Sequence, residues 1–91
     1  MGFEKKVILT NKTGLHARPA SKFVEKASAF SSEISVVFEE KEINAKSIMG
    51  LLSLGISQGK EITIKTEGED SKEALNDLVT FIEVELPKED E

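Results

Sequence analysis

The chain has no cysteine, no tryptophan and no tyrosine. Without a thiol there is no disulfide scaffold, no zinc ribbon and no cysteine nucleophile, and nothing calls for an oxidising compartment. The aromatic content is five phenylalanines, and basic residues are outnumbered, 12 Lys and Arg against 17 Asp and Glu, for a net charge of −5. A general binder of nucleic acid or of anionic membrane needs the opposite balance, and base stacking needs aromatics beside a basic surface, so neither partner is expected. Long apolar runs are missing as well. The first, residues 7–9, is too short for a signal peptide or a membrane span, and a soluble cytoplasmic protein is the expectation. A single histidine among scattered carboxylates makes no metal site. No glycine loop cradles a nucleotide either, because Gly50, Gly55 and Gly59 lack the lysine and the preceding strand of such loops. No metal or cofactor is expected.

What is present suffices for one domain. Ninety-one residues, 38% of them apolar, provide a single core, with no internal repeat and no linker. One domain over residues 1–91 is expected, with 87–91 a mostly acidic tail. Residues 3–9 alternate so that Phe3, Lys5, Val7 and Leu9 share a face, which predicts a strand. Asn11-Lys12-Thr13-Gly14 is turn chemistry, with Gly14 free to take positive φ. From Ala17 the apolar residues Ala17, Ala20, Phe23, Val24, Ala27 and Phe30 recur every three or four positions, with Arg18, Ser21, Lys22, Glu25 and Lys26 on the other side. That is an amphipathic helix, and Pro19 falls in its first turn, where a missing N–H does no harm. Ile34, Val36 and Phe38 mark a second strand. Ile43 and Ala45 mark a short third strand after a charged turn at 39–42 that has no glycine. Ser47 offers an N-cap to a short helix over 48–54, stopped by Gly55 at C′. Residues 61–66 read as a fourth strand. Asp70 and Glu73 form a capping-box pattern before a helix carrying Ala74, Leu75, Leu78, Ile82 and Leu86, which Pro87 should end. The order βαββαβα with short connections implies an α+β fold, one antiparallel four-stranded sheet with three helices on one face.

The chemistry concentrates at two helix starts. His16 lies between the glycine turn and the first helix, before the apolar stripe, so it should be exposed and face unpaired helical N–H groups. The positive end of the helix dipole there favours a neutral, nucleophilic imidazole and also binds anions. A phosphoryl group on His16 would meet the N–H groups of Ala17 and Arg18 and the Arg18 guanidinium. Ser47 reads first as a capping hydroxyl worth about 1 kcal/mol. The same position suits a phosphoserine. Ile48, Met49, Leu51, Leu52 and Leu54 are too many apolar residues for one buried stripe, so some face solvent as a candidate docking patch.

Thr13-Gly14-Leu15-His16-Ala17-Arg18-Pro19-Ala20, together with Asn44-Ala45-Lys46-Ser47-Ile48-Met49-Gly50-Leu51-Leu52-Ser53-Leu54-Gly55, resembles the HPr family, the histidine-containing phosphocarriers of the sugar phosphotransferase system. The resemblance spans residues 3–86. It implies an open-faced β-sandwich and a covalent relay rather than an enzyme with its own turnover. His16 would accept a phosphoryl group, at Nδ1, from enzyme I charged by phosphoenolpyruvate, and pass it to enzyme IIA domains. Arg18 would steady the phosphohistidine, and Ser47 would be the regulatory serine of a dedicated HPr kinase/phosphorylase. Ile48, Met49 and Leu52, with Lys22 on the first helix, would form the docking surface. A catabolite-control transcription regulator is the further partner implied, and a monomer is expected. Glu25 departs from the neutral or basic residue many relatives carry there. The Crh relatives, which act only in regulation, lack the active histidine, so His16 points away from them. A nitrogen-branch paralogue is the other alternative, against which Lys46-Ser47-Ile48-Met49 favours the sugar branch.

Overall fold

Period-two alternation builds one four-stranded sheet. In the computed structural model, which describes residues 2–89, the elements run β1 (Gly2–Ile8), α1 (Ala17–Ser28), β2 (Glu33–Phe38), β3 (Lys41–Asn44), α2 (Ile48–Ser53), β4 (Glu61–Glu67) and α3 (Ser71–Thr80). A π turn (Phe81–Glu85) then leads into a last helical turn, α4 (Leu86–Glu89). The strands lie in the order β1-β4-β2-β3, and every pairing is antiparallel. Registers Val7↔Ile62, Val36↔Ile64 and Val36↔Ile43 put the β-branched residues on one face. The helices cover that face, with Phe23 of α1, Leu51 of α2 and Leu78 of α3 all fully buried. The expected α+β architecture, an open-faced sandwich, is what the chain adopts. Phe23 and Phe81 meet at the centre, ring centroids 6.3 Å apart and tilted. The opposite face of the sheet is open to solvent, and on it Lys65 pairs with Glu42 at 3.9 Å.

Several local expectations are corrected. Phe3, Lys5 and Val7 do share a face, but β1 is an edge strand and of the three only Val7 is buried; Leu9 is buried just past the strand end. The charged turn is shorter than 39–42. Phe38 pairs with Lys41, leaving Glu39 and Glu40 as the loop, and Glu39 takes the left-handed φ of 59° that a glycine would hold without strain. Ala45 lies beyond β3, buried, with its N–H on the Ile34 carbonyl at 2.9 Å.

The predicted capping box does not form, because the Asp70 carboxylate turns away from its own helix. It accepts the Ser31 and Ser32 N–H groups at 2.9 Å each and both of their hydroxyls, tying the α1–β2 loop to the start of α3. Four donors to two oxygens outnumber what an N-cap offers. Nor does Pro87 end the last helix. The Leu86 N–H reaches back five residues to the Phe81 carbonyl, and this looser π turn relieves the clash of the proline ring with the preceding turn. The rod therefore continues to Glu89, burying Leu86 on the way. Of the expected acidic tail, 87–89 is helical, while 90 and 91 lie outside the described residues.

The Asp70 clasp is a pH-dependent element. The Ser32 hydroxyl, followed by the Ser31 N–H, holds the carboxyl down to about 2, against an ordinary 3.8. A depressed folded pKa gives stability that is fully present above the ordinary carboxylate range and lost as pH falls through about 2. Urea titrations between pH 5 and 2 should show Asp70→Asn less stable than wild type at the upper end, the gap narrowing downward. A gap of constant size across the series would contradict a role for the ionised carboxylate.

Candidate functional site at the start of the first helix

The segment entering α1 is fixed by a close backbone approach. Gly14 holds φ 62°, and a Cβ there would lie 2.5 Å from the Ile56 carbonyl oxygen and 2.7 Å from the Ser57 Cα. Only glycine fits. The Leu15 N–H donates to that same Ile56 carbonyl at 3.0 Å, and the buried Asn11 side-chain amide donates to the Gly14 carbonyl at 2.8 Å. Leu15 is buried and His16 is exposed.

His16 is the N-cap residue of α1, with φ −73° and ψ −177°, and its side chain makes no capping hydrogen bond. The carbonyl of His16 accepts the Ala20 N–H at 2.8 Å, so the helix is started by the backbone and the imidazole is left for other chemistry. The N–H groups of Ala17 and Arg18 have no acceptor within the helix, and Pro19 has none to offer. The first turn of α1 carries no acidic residue of its own to offset the positive end of the helix.

A groove of about 600 Å³ opens over this end, lined by Thr13, His16, Ala17, Arg18, Pro19, Lys22, Leu86 and Glu89. The predicted residues His16, Ala17, Arg18 and Lys22 are thus brought together. Leu86 and Glu89 were not among them, because the π turn that carries the chain past Pro87 has no sequence signature. A signal did exist. Lys22 and Lys26, four residues apart, pair with Glu89 and, at 3.5 Å, with Glu85, also four apart and in reverse order, as two antiparallel helices require. Lys26 also sits over the Phe81 ring, 5.6 Å from its centroid.

Ser47 and the apolar residues behind it do not line the groove; they belong to α2, which packs on α1. Ser47 caps α2 as expected, its hydroxyl accepting the Gly50 N–H at 3.1 Å, and Gly55 follows with φ 59°. Met49 is 74% exposed and Leu52 37%, whereas Leu51 is fully buried and Ile48 half-buried against the core. The ammonium group of Lys46 is held by the Phe30 carbonyl at 2.7 Å. No group of three or more potential metal ligands occurs among the described residues. Nor is any helix of the described residues long and apolar enough to cross a membrane.

The chain as a whole has counterparts among known proteins. Residues 3–84 match the family PTS-HPr, described as the PTS HPr component phosphorylation site. The chain belongs to the HPr family. It is 54% identical to the HPr-like protein Crh of Halalkalibacterium halodurans over 82 residues, covering 90% of this chain and 98% of Crh. Among solved structures, HPr-C-His from Thermoanaerobacter tengcongensis superposes with a TM-score of 0.89 at 51% identity, covering 92% of this chain and 94% of its own. Crh of Bacillus subtilis, described as a dimer with a swapped domain, superposes at 0.72 with 47% identity, covering 86% and 90%. The HPr fold here is the one expected from the motifs, and family members named phosphocarrier and members named for catabolite repression both resemble the chain.

Placing the HPr helix start depends on Gly14. In Gly14→Ala the methyl group meets the Ile56 and Ser57 backbone at a φ that alanine rarely adopts, so the variant should lose roughly 2–4 kcal/mol in urea unfolding. A loss below about 0.5 kcal/mol, the range of ordinary surface changes, would mean the two loops are not clamped together.

Proposed function

We propose that the chain is a phosphocarrier that accepts a phosphoryl group from phosphorylated enzyme I on His16 Nδ1 and passes it to enzyme IIA domains, acting as a covalent relay with no turnover of its own. The observation carrying this reading is the imidazole at the α1 N-cap, exposed, not used for capping, and set beside two N–H groups without helical acceptors and the Arg18 side chain. Such a site stabilises a dianion through charge-assisted hydrogen bonds while leaving it in solvent, and reversible transfer needs that balance. The presence of His16 also favours a carrier over a purely regulatory role, although Crh proteins are among the relatives. Phosphoenolpyruvate, magnesium and enzyme I should add one acid-labile phosphate by intact mass, and His16→Ala should fold normally and gain none. Acid-labile label retained in that variant would refute the assignment. Arg18→Ala should shift stability by less than about 0.5 kcal/mol yet slow transfer to and from the protein. Arg18→Lys should restore part of the rate, since an ammonium lacks the planar fork. Equal kinetics for wild type and Arg18→Ala would remove Arg18 from the mechanism.

A second output rests on the exposed Met49 and Leu52 of α2, the helix that Ser47 caps. Phosphorylation of Ser47 by an HPr kinase/phosphorylase would add about −1.5 to −2 charges beside this apolar patch. That change would repel an acidic partner such as enzyme I and favour a catabolite-control transcription regulator. In this reading Ile48, Met49, Leu52 and Lys22 form the docking surface of a cytoplasmic monomer. Ser47→Asp should keep or slightly raise the melting temperature and slow phosphorylation of His16. The deficit should shrink towards ~1 M salt, where the Debye length falls to ~3 Å. A deficit indifferent to salt would assign the effect to steric change at the patch.

A further inference from the structure

Resting on the phosphocarrier reading, we propose that Glu89 is a positioning residue for His16: through Lys22 it withholds positive charge from the phosphoacceptor groove and so weakens engagement of an acidic phosphoryl donor. Three observations meet here. The π turn and α4 carry the chain past Pro87 and bring Leu86 and Glu89 into the groove that contains His16. Within that groove the Glu89 carboxylate forms an ion pair with the Lys22 ammonium, whose side chain is 48% exposed. Lys22 stands four residues after Arg18 on α1, so the two cations share one face of the helix, and both line the groove that contains His16.

The groove therefore holds two basic side chains and one acidic one, and the acidic one is bonded to a base. An exposed pair is worth little and exchanges readily. A phosphoryl dianion on His16, or a carboxylate surface on the donor, competes with Glu89 for Lys22. As long as Glu89 holds it, the Lys22 ammonium is not available for that contact. Leu86 is buried, which fixes the rod at its base, so the carboxylate is delivered by a packed element and not by a loose tail.

The test compares wild type, Glu89→Gln, Lys22→Gln and the double variant as substrates of enzyme I with phosphoenolpyruvate. Glu89→Gln should lower the KM for the carrier about two- to fivefold at low ionic strength, the range of an exposed ion pair, with little change in kcat. The advantage should vanish towards ~1 M salt. It should also be absent in the Lys22→Gln background, since the carboxylate acts through that lysine. Thermal melts of all four proteins exclude a change of fold as the cause. A Glu89→Gln KM equal to wild type at low salt overturns the inference, as does an advantage that survives in the Lys22→Gln background. A wild type that takes no phosphoryl group from enzyme I while Glu89→Gln also takes none overturns the phosphocarrier reading itself, and the role of Glu89 falls with it.

Discussion

The close approach of the Gly14–Leu15 backbone to Ile56 and Ser57 is the constraint from which the site follows. It joins the loop before α1 to the loop before β4, and the lacing continues on both sides. The Gly59 N–H bonds to the Leu9 carbonyl at 2.7 Å, and the Leu9 N–H bonds to the Lys60 carbonyl at 3.0 Å. After the turn at Asn11–Gly14 the backbone at His16 is extended, φ −73° and ψ −177°, and successive side chains of an extended segment point to opposite sides. Burying Leu15 therefore turns His16 outward. The helix begins immediately afterwards, and the histidine is left with exposure, an adjacent positive helix end and no capping duty. None of these properties belongs to the imidazole alone; each is imposed by the glycine two positions earlier.

Much of this was legible because the decisive signals are local. The turn at Asn11–Gly14, the Ser47 cap and the Gly55 stop each rest on a few neighbouring residues and are realised, and the amphipathic stripe of α1 is buried at Ala20, Phe23 and Ala27 though Ala17 is exposed. The alternation of Ile34 with Val36 and of Ile62 with Ile64 was enough to place two strands and their buried face. The failures share a cause as well. Asp70 had a good local use as a cap, yet it serves Ser31 and Ser32, 39 and 38 residues away. Glu39 sits at a positive φ because the register on either side of it is fixed by Val36, Ile43 and Ile64, not by the turn residues. Where a long-range contact outweighed a local preference, the local pattern pointed the wrong way.

Pro87 is the clearest instance, and its consequence is functional. Local rules end the helix there, since the ring opposes the preceding carbonyls and no N–H is available. Leu86, immediately before the proline, is 1% exposed, and burial of a leucine side chain is worth roughly 1.5–3 kcal/mol. The chain keeps Leu86 buried and widens the turn before it to π geometry, and the rod continues. The groove at His16 acquires its far wall, Leu86 and Glu89, from this solution.

The electrostatics of that groove run against the charge of the molecule. A chain of net charge −5 keeps Arg18 and Lys22 on α1, whose first turn has no acidic residue. Both side chains lie at the surface, where each ionic contact is worth at most about 1 kcal/mol. For an enzyme active site such weak contacts would be a deficiency. For a carrier they are a requirement, because a phosphoryl group held by a buried, fully paired arginine would be stabilised beyond the reach of the next acceptor. In the proposed relay, an exposed site made of backbone N–H groups, one guanidinium and a lysine already shared with Glu89 would bind the dianion firmly enough to accept it and loosely enough to give it away.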